Sequence, residues 1–257
     1  MENNFYNIFD SHAHYDDKWF DEDREVLLSS MKENGVCGIV NNSVDLKTAK
    51  VCIDFCEKYD FMYGAVGFHP ENLEDMPNDY LDRVAELLKH KKIVAVGETG
   101  LDYHWDIPKD LQKRVFEEQI KLSLDVNMPI IVHDREAHGD TLNYLRKYKP
   151  KALVHCFSGS VEMMREVMRY GSYISLGGVV TFKNARHSVE VAKEVPIDRL
   201  LLETDCPYMS PVPFRGKRCD STMIKYTAEK IAEIRNTDVQ ELLNITAENA
   251  KRFYGID

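Results

Sequence analysis

Eight short apolar runs recur along this chain, and their spacing constrains the fold more than any other feature. They fall at residues 7–10, 37–41, 62–66, 93–98, 129–133, 152–156, 173–176 and 200–203. Their starts lie roughly 20–36 residues apart, the size of a strand-plus-helix unit. The runs are apolar throughout rather than alternating, which suits parallel strands covered on both faces. The stretches between them carry helical periodicity. Leu111, Val115, Leu122 and Val126 mark one apolar stripe, opened after Pro108 and closed by Pro129, and Leu145 and Tyr148 face a core from the next. Near the end, Thr237 and Gln240 form a capping-box pattern before Leu242 and Leu243, and Gly255 follows the final turn. Eight strands, each followed by a helix with no linker left over, predict an α/β fold: a single (β/α)8 TIM barrel over residues 1–257. The length of 257 residues suits that choice, since such barrels typically take about 250.

The chemistry collects where such a barrel builds its sites, at the C-terminal ends of the strands. The first run ends Asp10-Ser11-His12-Ala13-His14, the third leads into Gly67-Phe68-His69-Pro70, and the fourth ends Gly97-Glu98-Thr99-Gly100-Leu101-Asp102. The fifth ends at His133, the sixth at His155, and the eighth in Glu203-Thr204-Asp205. In an extended chain residues i and i+2 point the same way, so His12 and His14 can project into one barrel mouth, and Glu203 and Asp205 share a side. Singly, each has an ordinary explanation. A His-x-His is more often packing or surface, Glu98 could cap a loop, and a lone His133 or His155 would more often be a satisfied buried imidazole. His90 and His187, on helical segments, read as surface residues. Six convergent groups at five strand ends (His12, His14, Glu98, His133, His155 and Asp205) are hard to assign to packing. Imidazoles and carboxylates without thiolates suit Zn²⁺, Mn²⁺ or Mg²⁺. Glu98, arriving mid-barrel, could bridge two such ions, and two ions about 3.5–4 Å apart can drive a phosphoryl displacement.

These stretches resemble the TatD family of metal-dependent hydrolases, within the amidohydrolase-like TIM barrels. The resemblance extends through His155-Cys156-Phe157-Ser158-Gly159, Glu203-Thr204-Asp205-Cys206-Pro207-Tyr208 and Pro211-Val212-Pro213-Phe214-Arg215-Gly216-Lys217-Arg218, in order along nearly the whole chain. It implies a binuclear centre in which His12, His14 and Asp205 hold one divalent ion, His133 and His155 hold the other, and Glu98 bridges them. Asp205 is then also the catalytic base, and Glu203 a supporting or secondary catalytic group, with a salt bridge to a rim arginine as its structural alternative. One departure is Cys219, where the family usually carries Asn; it bears on loop contacts, and the ligand positions are intact.

The implied activity is a metal-dependent deoxyribonuclease working 3′→5′ on single strands or strand ends, with RNA as an open alternative. Arg215 and Lys217, after the eighth strand, and His69 and His104, at the rims of the third and fourth, are the expected substrate contacts. Most charge runs are simply solvated, but this one directly follows Asp205. Tyr103, Trp105 and Phe157 could stack on bases, although aromatics near loops are more often packed. A net charge of −10 argues against gripping duplex DNA through a basic surface. It leaves a polyanion substrate open, because metal ions and a few cations can reverse the sign inside one cleft. The same centre could instead cleave esters or amides, as in a deacylase acting on D-aminoacyl-tRNA, or survive as a non-catalytic scaffold that has lost its water-activating acid. Asp205 and Glu98 are both present, which disfavours the scaffold.

No apolar run approaches a membrane span, and the start of the chain has no basic flank with an apolar signal core. The six cysteines, at 37, 52, 56, 156, 206 and 219, include no Cys-x-x-Cys pair. Cys52 and Cys56 lie one helical turn apart, as on a packed helix face. Reduced thiols and a cytoplasmic address are expected, with no membrane and no obligate protein partner.

Overall fold

The computed structural model of the chain describes residues 5–256; residues 1–4 and 257 of the expected domain lie outside the described residues. Eight strands form one sheet in sequence order, each parallel to the next: β1 (Ile8–Ala13), β2 (Val36–Asn42), β3 (Met62–Val66), β4 (Ile93–Asp102), β5 (Ile130–Arg135), β6 (Ala152–Val154), β7 (Tyr173–Leu176) and β8 (Leu200–Leu202). After each strand comes a helix: α1 (Arg24–Ser30), α2 (Leu46–Lys58), α3 (Tyr80–Leu87), α4 (Lys109–Asp125), α5 (His138–Tyr148), α6 (Val161–Arg169), α7 (Arg186–Glu194) and α8 (Ile224–Arg235). The TIM barrel expected from the spacing is present. A ninth helix, α9 (Val239–Tyr254), is added beyond the eight units.

The period of two in each strand divides the apolar residues between two cores. Ile39, Val66, Val96, Ile130, Val154, Ile174 and Leu200 pack outward against the helices. Their neighbours Val40, Ala65, Ala95, Ile131, Leu153, Tyr173 and Leu201 fill the barrel with Phe9. The end of α9 closes the bottom of that inner core. Phe253 meets Tyr173 at 5.1 Å between ring centroids, and Tyr254 lies parallel to Phe9 at 6.4 Å. The Tyr254 hydroxyl donates to the Ser11 carbonyl at 2.8 Å.

The ring closes between β8 and β1 through the ends of the two strands. Asp205 N–H donates to the His12 carbonyl at 3.0 Å, and His14 N–H to the Cys206 carbonyl at 2.8 Å. Below this seam the fully buried Asp10 carboxylate accepts from the Thr204 amide and hydroxyl and from the Ser221 hydroxyl, at 3.0, 2.6 and 2.7 Å. Burial raises its pKa to about 7 even against these bonds. The seam sets His12 and His14 directly beside Asp205.

Several local expectations need correction. Glu98 is not at a strand end: β4 continues four residues further, to Asp102. The N-cap of α9 is Asp238, accepting from Glu241 N–H, rather than Thr237. An Asx side chain one residue on makes the bond that the Thr237/Gln240 pattern suggested. Gly255 does end that helix, in the left-handed conformation at φ 69°. Val126 is not part of the buried stripe of α4; it sits at the C-cap, exposed, while Phe116 and Ile120 are buried instead. Cys52 and Cys56 are buried on α2, and all six cysteines are free. Among the described residues no helix is long and apolar enough to cross a membrane.

Candidate metal centre

The inward parity of the strands carries the site. Two residues beyond Ile131, Leu153, Tyr173 and Leu201 come His133, His155, Ser175 and Glu203, so the layer above the apolar core is polar. Glu98 reaches into this layer from β4, and the seam supplies His12, His14 and Asp205. All these groups sit below a cleft of about 700 Å³ at the C-terminal mouth of the barrel.

The buried Glu98 carboxylate faces two imidazole pairs, one with each oxygen. Its Oε1 lies 2.9 Å from His133 Nδ1 and 2.8 Å from His155 Nε2. Its Oε2 lies 3.2 Å from His12 Nε2 and 3.3 Å from His14 Nε2. The two Nε2 atoms of His12 and His14 are themselves only 3.0 Å apart, with Asp205 Oδ1 at 3.7 and 3.5 Å. The rings of His12 and His155 stack in parallel at 3.8 Å. His69, expected as a substrate contact, joins the cluster: its Nε2 lies 3.4 Å from Glu98 Oε1.

Three groups each bring ligand atoms within 4.8 Å of one another: His12, His155 and Asp205; His12, His14 and Glu98; and His69, Glu98 and His133. The chemistry of the set fits divalent cations. Nitrogen lone pairs and carboxylate oxygens from six of the eight strands, or from the residues directly after them, converge with no thiolate among them. Buried Nδ1 atoms of His12 and His155 and Oε1 of Glu203 have no hydrogen-bond partner. Cys156 lines the same cleft, but burial pushes its thiol well above the usual range, so it stays protonated.

The charges are strongly coupled. Burial alone would raise the Glu98 carboxyl, yet His155, His69 and His12 outweigh it and hold it well below the usual carboxylate range. Asp205 is lowered in the same way, with burial opposed by the hydrogen bond from His14. Burial lowers His12 and His69. For His133, burial is overcome by Asp102 and Glu98, which lift it to about 9.

Two supporting residues escaped the sequence reasoning. Asp102, with a fully buried side chain, faces His133 Nε2 at 3.0 Å on the side away from Glu98. Its position four residues after Glu98 in one extended strand was an available signal. Ser175 donates to Glu203 Oε2, and Glu203 Oε1 lies 3.8 Å from His155 Nδ1. Glu203 therefore stands behind His155; among the described residues it makes no salt bridge to a rim arginine.

The expected substrate contacts divide differently. Arg215 and Lys217 are not brought to the cleft. The Arg215 guanidinium lies 4.2 Å from the Phe182 ring centroid and Lys217 lies 5.7 Å from that of Phe214; neither lines the cavity. Arg218 is occupied by a two-pronged bond to Asp23 at 2.6 Å. His104 turns outward to Glu136, at 3.2 Å. The lysine or arginine that does line the cleft, among the described residues, is Arg135 at the end of β5. Cys219 is buried beneath this loop, its N–H donating to the Pro207 carbonyl at 2.9 Å.

Residues 9–255 match the family described as TatD related DNase. The chain is 46% identical over 254 residues to the Bacillus subtilis "uncharacterized metal-dependent hydrolase YabD", covering 97% of this chain and all of that one. It is 35% identical over 257 residues to the Escherichia coli "uncharacterized metal-dependent hydrolase YcfH", covering 97% of this chain and 96% of the relative. Among solved structures, the Escherichia coli TatD homologue YJJV superimposes with a TM-score of 0.92 at 28% identity, over 98% of this chain and 99% of that one.

Proposed function

The chain belongs to the TatD family and is a metal-dependent hydrolase, and from that premise we propose that it is a nuclease shortening single-stranded DNA from its 3′ end, with RNA as a second substrate. One observation carries this reading: the two oxygens of Glu98 face separate imidazole pairs. A carboxylate so placed is suited to lie between two cations. His12, His14 and Asp205 would hold one, His133 and His155 the other, with Mg²⁺, Mn²⁺ or Zn²⁺ as the ions. When bound, such ions would supply Lewis acidity, acidify a water and offset charge on phosphate oxygens.

The chain's own groups do the rest. Asp205, ionised and at the cleft floor, accepts a proton from the attacking water and orients it toward phosphorus; the P–O3′ bond breaks and that proton passes to the departing 3′ oxygen. Asp102 holds the His133 ring at 3.0 Å, so that ring does not have to reorganise during the reaction, and Glu203 stands behind His155 at 3.8 Å. The apolar plug below seals the floor against water from the opposite mouth. Free thiols suit a reducing compartment, and we place the protein in the cytoplasm.

Metal-stripped protein incubated with 3′- and 5′-labelled single-stranded oligonucleotides, with Mg²⁺, Mn²⁺ or Zn²⁺ restored separately, tests the proposal. Stepwise loss from the 3′ end that requires metal and disappears in Asp205→Asn and Glu98→Gln supports it. An oligonucleotide that survives every ion while metal still binds defeats it and turns attention to ester and aminoacyl-tRNA substrates.

A further inference from the structure

The mouth of the cleft is poorly suited to holding a phosphate backbone. Asp16, Asp17, Glu71 and Asp134 line it against the single Arg135, on a chain of net charge −10. A polyanion tracked by its phosphates would be repelled along most of this rim. The rim offers aromatic faces instead. Tyr103 and Phe157 are taken up by packing: Tyr103 bonds to Asp140 and sits under Lys109, and Phe157 is buried. Trp105 is different. It lines the cleft, yet 49% of its surface is open to solvent.

Trp105 follows β4, and Tyr208, 48% exposed and also lining the cleft, follows β8. In a ring of eight strands the fourth and eighth stand opposite, so the two rings flank the mouth from facing sides. Both are held in place beforehand. The Tyr208 hydroxyl donates to Asp17 Oδ2 at 2.8 Å, and His104 packs edge-on against Trp105 at 5.1 Å. Arg135 reaches toward the Trp105 ring at 5.9 Å, lies 4.0 Å from the buried Asp102 carboxylate and remains half exposed.

We infer that Trp105 and Tyr208 form a base-stacking gate across the cleft, with Arg135 taking the one phosphate held at the rim, so that the enzyme selects strands with unpaired bases at their end. The inference rests on the nuclease reading above and specifies how that substrate is gripped. Every base has a π-face, so such a gate is tolerant of sequence, and a paired base cannot enter it without unstacking.

Trp19→Phe leaves Trp105 as the sole tryptophan of a chain that has two. This protein, kept metal-free so that nothing is cleaved, is titrated with a short oligothymidylate and with an abasic oligomer of equal length. Quenching of Trp105 by the thymidylate and not by the abasic strand is expected. In metal-loaded protein, Trp105→Ala should raise KM for single strands about tenfold with kcat held, as loss of one stacked base implies. Trp105→Phe should recover part of that loss, and abasic strands should respond to neither change. Equal quenching by both strands, or an unchanged KM in Trp105→Ala, overturns the gate while cleavage by the parent leaves the nuclease reading standing. Absence of cleavage together with absence of quenching removes both. Fluorescence that follows protein concentration rather than oligonucleotide would mark the rim as a self-association surface and also overturn the gate.

Discussion

At the scale of single residues, the proposed metal centre depends on groups that hold the candidate ligands as much as on those ligands. Asp102 contacts none of the other acids in the cluster, yet its carboxylate fixes the orientation of His133 from behind. Removing such a partner typically costs about 10–100-fold in metal affinity. Asp102→Asn should therefore weaken Mn²⁺ or Zn²⁺ binding by that order, read by calorimetric titration, with the circular dichroism spectrum unchanged. Parent-like affinity would show that packing alone holds the ring. Asp10 is the opposite case, a buried acid with no route to the cleft. Asp10→Ala takes the acceptor from the amide and hydroxyl of Thr204 and leaves the Ser221 hydroxyl with Tyr15 alone, and each buried unpaired group costs about 1–3 kcal/mol. A clear fall in the urea midpoint is expected, and a midpoint within error of the parent would contradict the role of Asp10 in closing the barrel.

Among the elements, β4 and α9 constrain the site from above and below. Gly100 lies in the stretch of β4 beyond Glu98, at φ 149°, and a Cβ there would come within 2.0 Å of the His133 carbonyl oxygen. Any side chain must push β4 off β5 beside a proposed ligand, so Gly100→Ala should lower both stability and metal affinity. Loss of stability alone would show that β5 absorbs the clash without moving His133. The plug of α9 predicts the reverse separation. Phe253 is fully buried in the inner core, and truncating such a residue costs about 3–5 kcal/mol. Phe253→Ala should unfold at markedly lower denaturant while its folded fraction binds metal with parent stoichiometry, because the plug sits at the mouth opposite the ligands. The segment of the ninth helix was marked in the sequence by a capping pattern, the Leu242/Leu243 pair and a C-terminal glycine, but the count of one helix per strand left no ninth. Its place under the barrel was not, because a helix pattern records which face is apolar and not what it will cover.

Over the whole molecule, the cluster concentrates five imidazoles and two ionised acids in one enclosed layer, and bound cations should be coupled to folding. An ion at 100 times its dissociation constant stabilises the folded state by about 2.7 kcal/mol. Each kcal/mol shifts the melting temperature by roughly 2–4 °C at this size. Chelation should therefore lower Tm by several degrees relative to protein saturated with Mn²⁺, and Glu98→Gln should abolish most of that difference. Identical melting curves with and without chelator would argue against tight binding at this centre.

The apolar runs determined by themselves that parallel strands recur eight times, and the period of two along a strand determined that His12 and His14 share a side, as do Glu203 and Asp205. The motifs alone also picked out the imidazoles and acids that meet. Tertiary structure decided how they meet. It brought His69 into the cluster, set Asp102 behind His133 and divided the Glu98 oxygens between two imidazole pairs. It also turned Arg215, Lys217 and His104 away from the cleft and left Trp105 facing it. The physical reason is that side-chain direction along a strand is local, repeating every two residues. The stagger between strands and the closure of β8 on β1 arise from contacts between residues nearly 200 positions apart, such as Thr204 with Asp10, which no local pattern records.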